Sequence, residues 1–181
     1  MIAIMFEALT RHISADILRQ RKLATGTWLF HQGDHVRSVF LVVAGCVDLV
    51  RHTPDGKPAV LQRAHSGAML AEASVFSDRY HCDAIAAQST QVAELPRADF
   101  LGLINSTPAF ASEWMEHLAQ QVQSARLRAE ILTLKTVSQR LDAWLAFNDG
   151  ALPRRGERSS LAMQIGVSPE ALYREIARRK G

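Results

Sequence analysis

Glu170, Tyr173, Arg174 and Arg178 fall at spacings of three and four near the end of this 181-residue chain. On a helix that spacing gathers them on one face. The chemistry suits a duplex groove: a guanidinium fork fits guanine edges, and a carboxylate accepts from the cytosine amino group. Charge agrees. Residues 153 to 181 hold seven Lys or Arg against three Glu, a surplus of four within a net charge of +3, leaving about −1 for the preceding residues. Basic charge gathered at one end points to a polyanion there, although charge alone equally suits a solvated basic tail.

Metal and haem chemistry is weaker. His81-Cys82 joins two axial-ligand types, so haem is kept as a lesser alternative. His31 and His35 stand four apart, but Gly33-Asp34 between them marks a turn, which removes helical pair ligation. The seven histidines are otherwise scattered, and no metal site is expected. Cys46 and Cys82 are too few for a disulfide framework or an iron–sulfur cluster and fit a reducing cytoplasm.

The elements that must position the basic face can be read around it. Leu161, Ala162 and Ile165 form an apolar helical face, and Gly166 can take the left-handed conformation that ends a helix. Ser168 caps the next helix and Pro169 suits its first turn. Val167, Leu172 and Ile176 would pack inward, so the segment reads as a helix-turn-helix with Ser168, Glu170, Tyr173, Arg174 and Arg178 toward DNA.

Upstream, residues 108 to 147 run without a glycine or a second proline, which predicts a long helix bending near Thr136. Met115, Leu118, Val122, Ala125, Ala129, Leu132 and Thr136 form a narrow heptad seam, suited to a second copy across a two-fold axis. Residues 3 to 20 are expected to form an amphipathic helix using Ile4, Leu9, Ile13 and Leu18. From Thr27 to Leu95 the period changes to short strands: 28 to 30, 38 to 44, 46 to 51, one beginning at Val60, then 83 to 87 and 91 to 95. Thr53-Pro54-Asp55-Gly56 is a strong turn. Many short strands predict a jelly roll or barrel. A short helix follows at 99 to 104, and 149 to 157 reads as a loop.

This order resembles the CRP/FNR family of bacterial transcription regulators over nearly the whole chain. Trp28 to Asp34 resembles the family's first strand and Q-G-D turn, Val39 to Gly45 with Val47 its V-x-x-G-x-V hairpin, and Val167 to Arg174 its recognition helix. Glu170 and Arg174 fall on the family's base-reading positions, while Pro169 stands where some members carry another Arg. The resemblance implies an α+β chain: an N-terminal double-stranded β-helix, or jelly roll, with flanking helices (residues 1–106), a long dimerisation helix (107–136), and a C-terminal all-α helix-turn-helix (137–181). The family's β-hairpin wing is missing after Gly181. Homodimerisation, binding to double-stranded DNA, a small-molecule effector and RNA polymerase as a further partner are implied with it.

Residues 67 to 87 align with the family's phosphate-binding cassette. Ala71-Glu72-Ala73 stands for its G-E-L segment, so the ribose-holding Glu is present at Glu72. Cys82-Asp83 replaces the Arg-Ser pair that holds the cyclic phosphate. A lost charge-assisted hydrogen bond costs roughly 1.5–3 kcal/mol, and a carboxylate facing a phosphate adds repulsion, so cyclic AMP is disfavoured. Arg79 lies three residues upstream, and Arg126 of the long helix completes the candidate effector pocket with Glu72, Cys82 and Asp83.

The leading reading is therefore a homodimeric transcription regulator, not an enzyme, binding a palindromic operator and sensing an effector whose identity is unknown. The alternative is a dimeric sensor of the same fold without productive DNA binding. An enzyme on a cupin-like roll would need His31, His35 and His81 to converge with Glu72, which the spacing does not favour. No apolar run approaches the ~20 residues of a membrane span.

Overall fold

The computed structural model describes residues 11–56, 58–148 and 150–179. The chain divides into two compact units, Met1–His117 and Leu118–Gly181.

The first unit is an antiparallel β-roll. Its strands are β1 (Arg19–Leu23), β2 (Trp28–Phe30), β3 (Ser38–Ala44), β4 (Cys46–His52), β5 (Pro58–His65), β6 (Met69–Leu70), β7 (Asp83–Ala86) and β8 (Thr90–Pro96). They form two four-stranded sheets, in the orders β1-β8-β3-β6 and β2-β7-β4-β5. Val39, Leu41, Val47, Leu70, Ala84 and Leu95 are all but fully buried in its core. The first five residues of β3 are all buried, as its unbroken apolar run requires. β4 and β5 are joined at Thr53–Gly56, where the Gly56 amide donates to the Thr53 carbonyl at 2.8 Å.

Gly45 makes the β3–β4 corner possible. Its φ is +94°, and a Cβ there would stand 2.5 Å from the Ser89 carbonyl oxygen. Thr90 closes the corner: its hydroxyl accepts from the Cys46 amide at 3.0 Å. The glycine of the V-x-x-G-x-V pattern is thus fixed by main-chain crowding as well as by its dihedral.

After β8 come α1 (Arg97–Ser106) and α2 (Pro108–Thr133), the latter continuing into the second unit. Phe100 packs edge-on to Phe110 and Trp114, anchoring the start of α2 in the first unit. The second unit then has α3 (Val137–Phe147), α4 (Arg158–Gln164) and α5 (Pro169–Arg178). Its core is Ile131, Leu141, Leu161, Ala162, Ile165, Leu172 and Ile176.

Three sequence expectations change. Residues 11 to 20 are not helical: a 3-10 turn at Ala15–Ile17 leads into β1, paired antiparallel with β8 from Arg19↔Glu94 to Leu23↔Thr90. The expected helix over residues 3–10 lies outside the described residues. The polar run Arg19-Gln20-Arg21-Lys22 hides an edge strand whose order comes from its neighbour's ladder. The helix from residue 108 does not bend near Thr136 but stops at Thr133 and restarts at Val137. Thr136 is the cap of α3 rather than a seam residue. Its hydroxyl accepts from the Gln139 amide at 3.2 Å, and its amide donates to the Gln139 side chain at 3.3 Å. β6 has no counterpart in the strands read from sequence. No helix among the described residues is long and apolar enough to cross a membrane.

Candidate functional site

The basic tail folds into two short helices around a glycine turn. Gly166 sits at φ +64°. The Val167 amide donates to the Ala162 carbonyl at 2.9 Å, closing the end of α4 as a left-handed cap does. Ser168 is extended, and its hydroxyl accepts from the Ala171 amide at 3.2 Å. Pro169 opens α5, where no amide donor is needed. Leu172 and Ile176 are buried, which turns Glu170, Tyr173, Arg174 and Arg178 outward.

These outward groups are not equivalent. The Glu170 carboxyl is held below its usual range by its own backbone amide first, then by Ser168. The Tyr173 hydroxyl donates to the Arg155 carbonyl at 3.3 Å. Arg178 is engaged within the chain, its Nη2 donating to Glu175 at 2.7 Å. Arg179 donates to Glu175 at 2.7 Å and to Asp142 at 2.6 Å. Hydrogen bonds from Arg178 first, then Arg179, push the Glu175 carboxyl down to about 2. The basic end of α5 is therefore partly bound to its own unit, and Glu170 and Arg174 remain the clearest outward pair.

On α2, Met115, Val122 and Leu132 are 63%, 47% and 43% exposed. Ala125 and Ala129 are exposed as well, and Leu118 is half-buried. Ile131 and Leu127 instead turn into the core of the second unit. The helix thus has one apolar side that is filled and another that is open.

In the roll, a 3-10 turn at Glu72–Ser74 carries the Glu of the cassette. Ala71 before it has φ +68°, the one positive φ outside glycine among the described residues. Glu72 Oε2 is buried with no hydrogen-bond partner. Burial lifts its carboxyl from 4.5 to about 7. The Cys82 thiol is buried too and pushed from 9.0 to about 11, by desolvation first and then by Glu72, with Asp83 adding to it and Arg51 opposing.

Asp83 already has partners. Its Oδ1 accepts from the Gln32 amide at 2.8 Å, and imidazole nitrogens of His31 and His52 stand 3.5 and 3.3 Å from its oxygens. His81 Nδ1 lies 2.7 Å from the Ser74 hydroxyl, and burial, then Arg51, lowers its pKa. Arg79 sits elsewhere: it donates to the Gly33 carbonyl at 2.6 Å and lines an open pocket of about 440 Å³ with Arg21, Arg37, Tyr80 and Glu94. Arg126 is exposed on α2 in the second unit.

The groups around Glu72 do not fit a cyclic phosphate. The matching positions hold a protonated thiol and a carboxylate already bonded to an amide and flanked by imidazoles. Burial and the nearby Glu72 and Asp83 carboxyls oppose the thiolate form of Cys82. Among the described residues no group of three His, Cys, Asp or Glu is placed to hold a metal ion. Sequence reasoning missed Arg140 and Arg179. The carbonyls that hold Arg140 come from the end of α2 and from the turn between α4 and α5, and Asp142 meets Arg179 from α3, so these partners are not local in sequence.

Residues 20–107 match the family model described as the cyclic nucleotide-binding domain. The chain is 26% identical over 130 residues to the Cyclic AMP receptor protein of Thermus thermophilus, covering 71% of this chain and 60% of that protein. It is 22% identical over 172 residues to the Transcriptional activator protein anr of Pseudomonas aeruginosa, covering 90% and 70%. FixK2 from Bradyrhizobium japonicum shares the fold with a TM-score of 0.72 at 17% identity, over 90% of this chain and 84% of that one. The putative cAMP-binding regulatory protein from Silicibacter pomeroyi does so with a TM-score of 0.64 at 24% identity, over 98% and 87%.

Proposed function

We propose that this chain, a homologue of CRP/FNR family transcription regulators with a cyclic nucleotide-binding domain at residues 20–107, binds a palindromic DNA operator as a cytoplasmic homodimer. The observation that carries the reading is α5. It is capped by Ser168 and seated on Leu172 and Ile176, and it presents Glu170 and Arg174 together on its open side. Such a helix fits the major groove, and two copies joined through α2 would enter successive grooves about 34 Å apart. The open seam from Met115 to Leu132 supports pairing with a second copy, because an apolar strip of this width is stable when covered.

The roll would sense an effector through Glu72. Its buried, unpartnered carboxyl oxygen suits a neutral or hydrogen-bonding group rather than a phosphate. RNA polymerase is a further partner of the proposed regulator.

Selection of the full chain against random duplexes tests the reading. Enrichment of a two-fold symmetric site is expected, with affinity falling as salt rises because bound phosphates release counterions. Arg174→Ala should erode discrimination between sites more than non-specific binding. No binding to any duplex at low salt would sink the proposal. It would favour a dimeric sensor without DNA contact, a reading that the engagement of Arg178 and Arg179 by Glu175 and Asp142 favours.

A further inference from the structure

We propose that Arg140 is a positioning residue that makes the turn before the reading helix follow the end of the pairing helix. The proposal rests on the DNA-binding reading above. Arg140 lies in the opening turn of α3, and its guanidinium bonds four main-chain carbonyls in two different places. Toward the end of α2, Nε donates to the Leu134 carbonyl at 2.8 Å and Nη2 to the Leu132 carbonyl at 3.2 Å. Toward the turn between α4 and α5, Nη1 donates to the Ile165 carbonyl at 3.1 Å and to the Gly166 carbonyl at 2.8 Å.

Both places are helix C-termini. The last carbonyls of a helix lack partners along the chain, and the helix dipole makes that end negative. One cation therefore serves two helix ends at once. A planar guanidinium can do this because its donors diverge in a fixed fork; an ammonium offers a single point of charge. These four acceptors are all main chain, so the bonds fix backbone position directly, whatever the side chains nearby.

A second contact runs alongside. A Cβ built on Gly166 would overlap Leu132 Cδ2 and come within 3.1 Å of Arg140 Nη1. Leu132 is also an open residue of the α2 seam. The turn that aims α5 is thus held to the last turn of α2 by an apolar contact and by one shared cation. A change in the pairing of α2 with a second copy therefore reaches the Gly166 turn chiefly through the four bonds of Arg140. The mutual spacing of two reading helices then depends on Arg140 more than the affinity of either helix alone.

The test uses the full-length dimer with Arg140→Lys, and Arg140→Gln as a second variant. Two duplexes are compared at one salt concentration: the palindrome selected by the wild-type protein and a duplex with a single half-site. Arg140→Lys should stay dimeric by light scattering and bind the half-site within about threefold of wild type. Its affinity for the palindrome should fall about ten- to a hundredfold, because the second helix no longer arrives at a fixed span. Equal losses on both duplexes would reduce Arg140 to a fold-stabilising residue and overturn the proposal, as would no loss on either. Amide hydrogen exchange at residues 165–168 gives a readout independent of DNA. It should quicken about tenfold or more in Arg140→Lys while exchange within α2 stays unchanged. If the wild-type chain binds no duplex, the DNA reading fails on its own account. Unchanged exchange at 165–168 would then overturn the role of Arg140.

Discussion

Gly166 is closed off by Leu132: a methyl group on the glycine would overlap the Leu132 Cδ2 atom. Two effects oppose a side chain there, and they differ in size. Leu132 is partly exposed, so its tip can swing aside at small cost. The φ of +64° cannot be relieved in that way. Gly166→Ala should therefore destabilise the second unit by about 1–2 kcal/mol, mostly from the left-handed backbone. Adding Leu132→Ala should recover the lesser part. Urea unfolding of the single and double variants measures both.

Gly45 differs because its neighbours are main chain. A Cβ there would meet the Ser89 carbonyl oxygen at 2.5 Å and Thr90 Cα at 2.6 Å. Neither can give without moving a strand. Gly45→Ala should cost about 2–5 kcal/mol, the sum of a left-handed penalty and overpacking, and more than Gly166→Ala. Equal losses at the two positions would contradict this ordering.

Ala71 holds a backbone conformation that glycine adopts freely. Ala71→Gly should stabilise the roll by about 0.5–1 kcal/mol, since relief of the left-handed strain exceeds the extra entropy glycine brings to the unfolded chain. The melting temperature of the variant checks it.

Glu72 makes the roll sensitive to pH. Its folded carboxyl titrates at about 7 instead of 4.5, because burial disfavours the charge. Between these values the folded chain keeps a proton that the unfolded chain has released. As far as this group is concerned, stability should therefore be highest below about pH 4.5, fall by roughly 3 kcal/mol as pH rises to about 7, and level off beyond. Glu72→Gln should flatten that slope. Denaturation midpoints at pH 5 and pH 8 for both proteins decide the matter.

The open side of α2 should be where two copies meet. Val122→Glu places a charge in the middle of the strip and should convert the dimer to monomer while leaving the helical signal intact. Sedimentation at several concentrations reads the change; a variant that sediments like the wild-type dimer would move the interface elsewhere.

Much of this molecule was legible in its residues, and the failures have physical causes. β2 and β3 were read residue for residue because breakers flank dense apolar runs. β1 is missed in the sequence, the expected helix taking in Arg19 and Gln20 and no element the rest, because Arg19, Gln20, Arg21 and Lys22 carry no alternation of their own; β8 supplies the order. The break after Thr133 was expected as a bend, since the capping role of Thr136 depends on Gln139 folding back to it. In the tail, the apolar positions around Gly166 fixed which side of α5 faces out. Which arginine stays unengaged was beyond such reasoning, because Glu175 reaches Arg178 and Arg179 while Asp142 comes from another helix. In the cassette, the sequence placed Glu72 by alignment but gave no sign that one of its oxygens would be left without a partner.

Cys46 and Cys82 are both buried, and burial raises both thiols, Cys82 to about 11. Alkylating reagents attack the thiolate, so the intact roll presents them with almost nothing to modify. The two sulfurs thereby act as a clock for breathing of the sheets: each capture of reagent records a moment when the strands have parted, and anything that settles into the roll and stills it would slow the ticking.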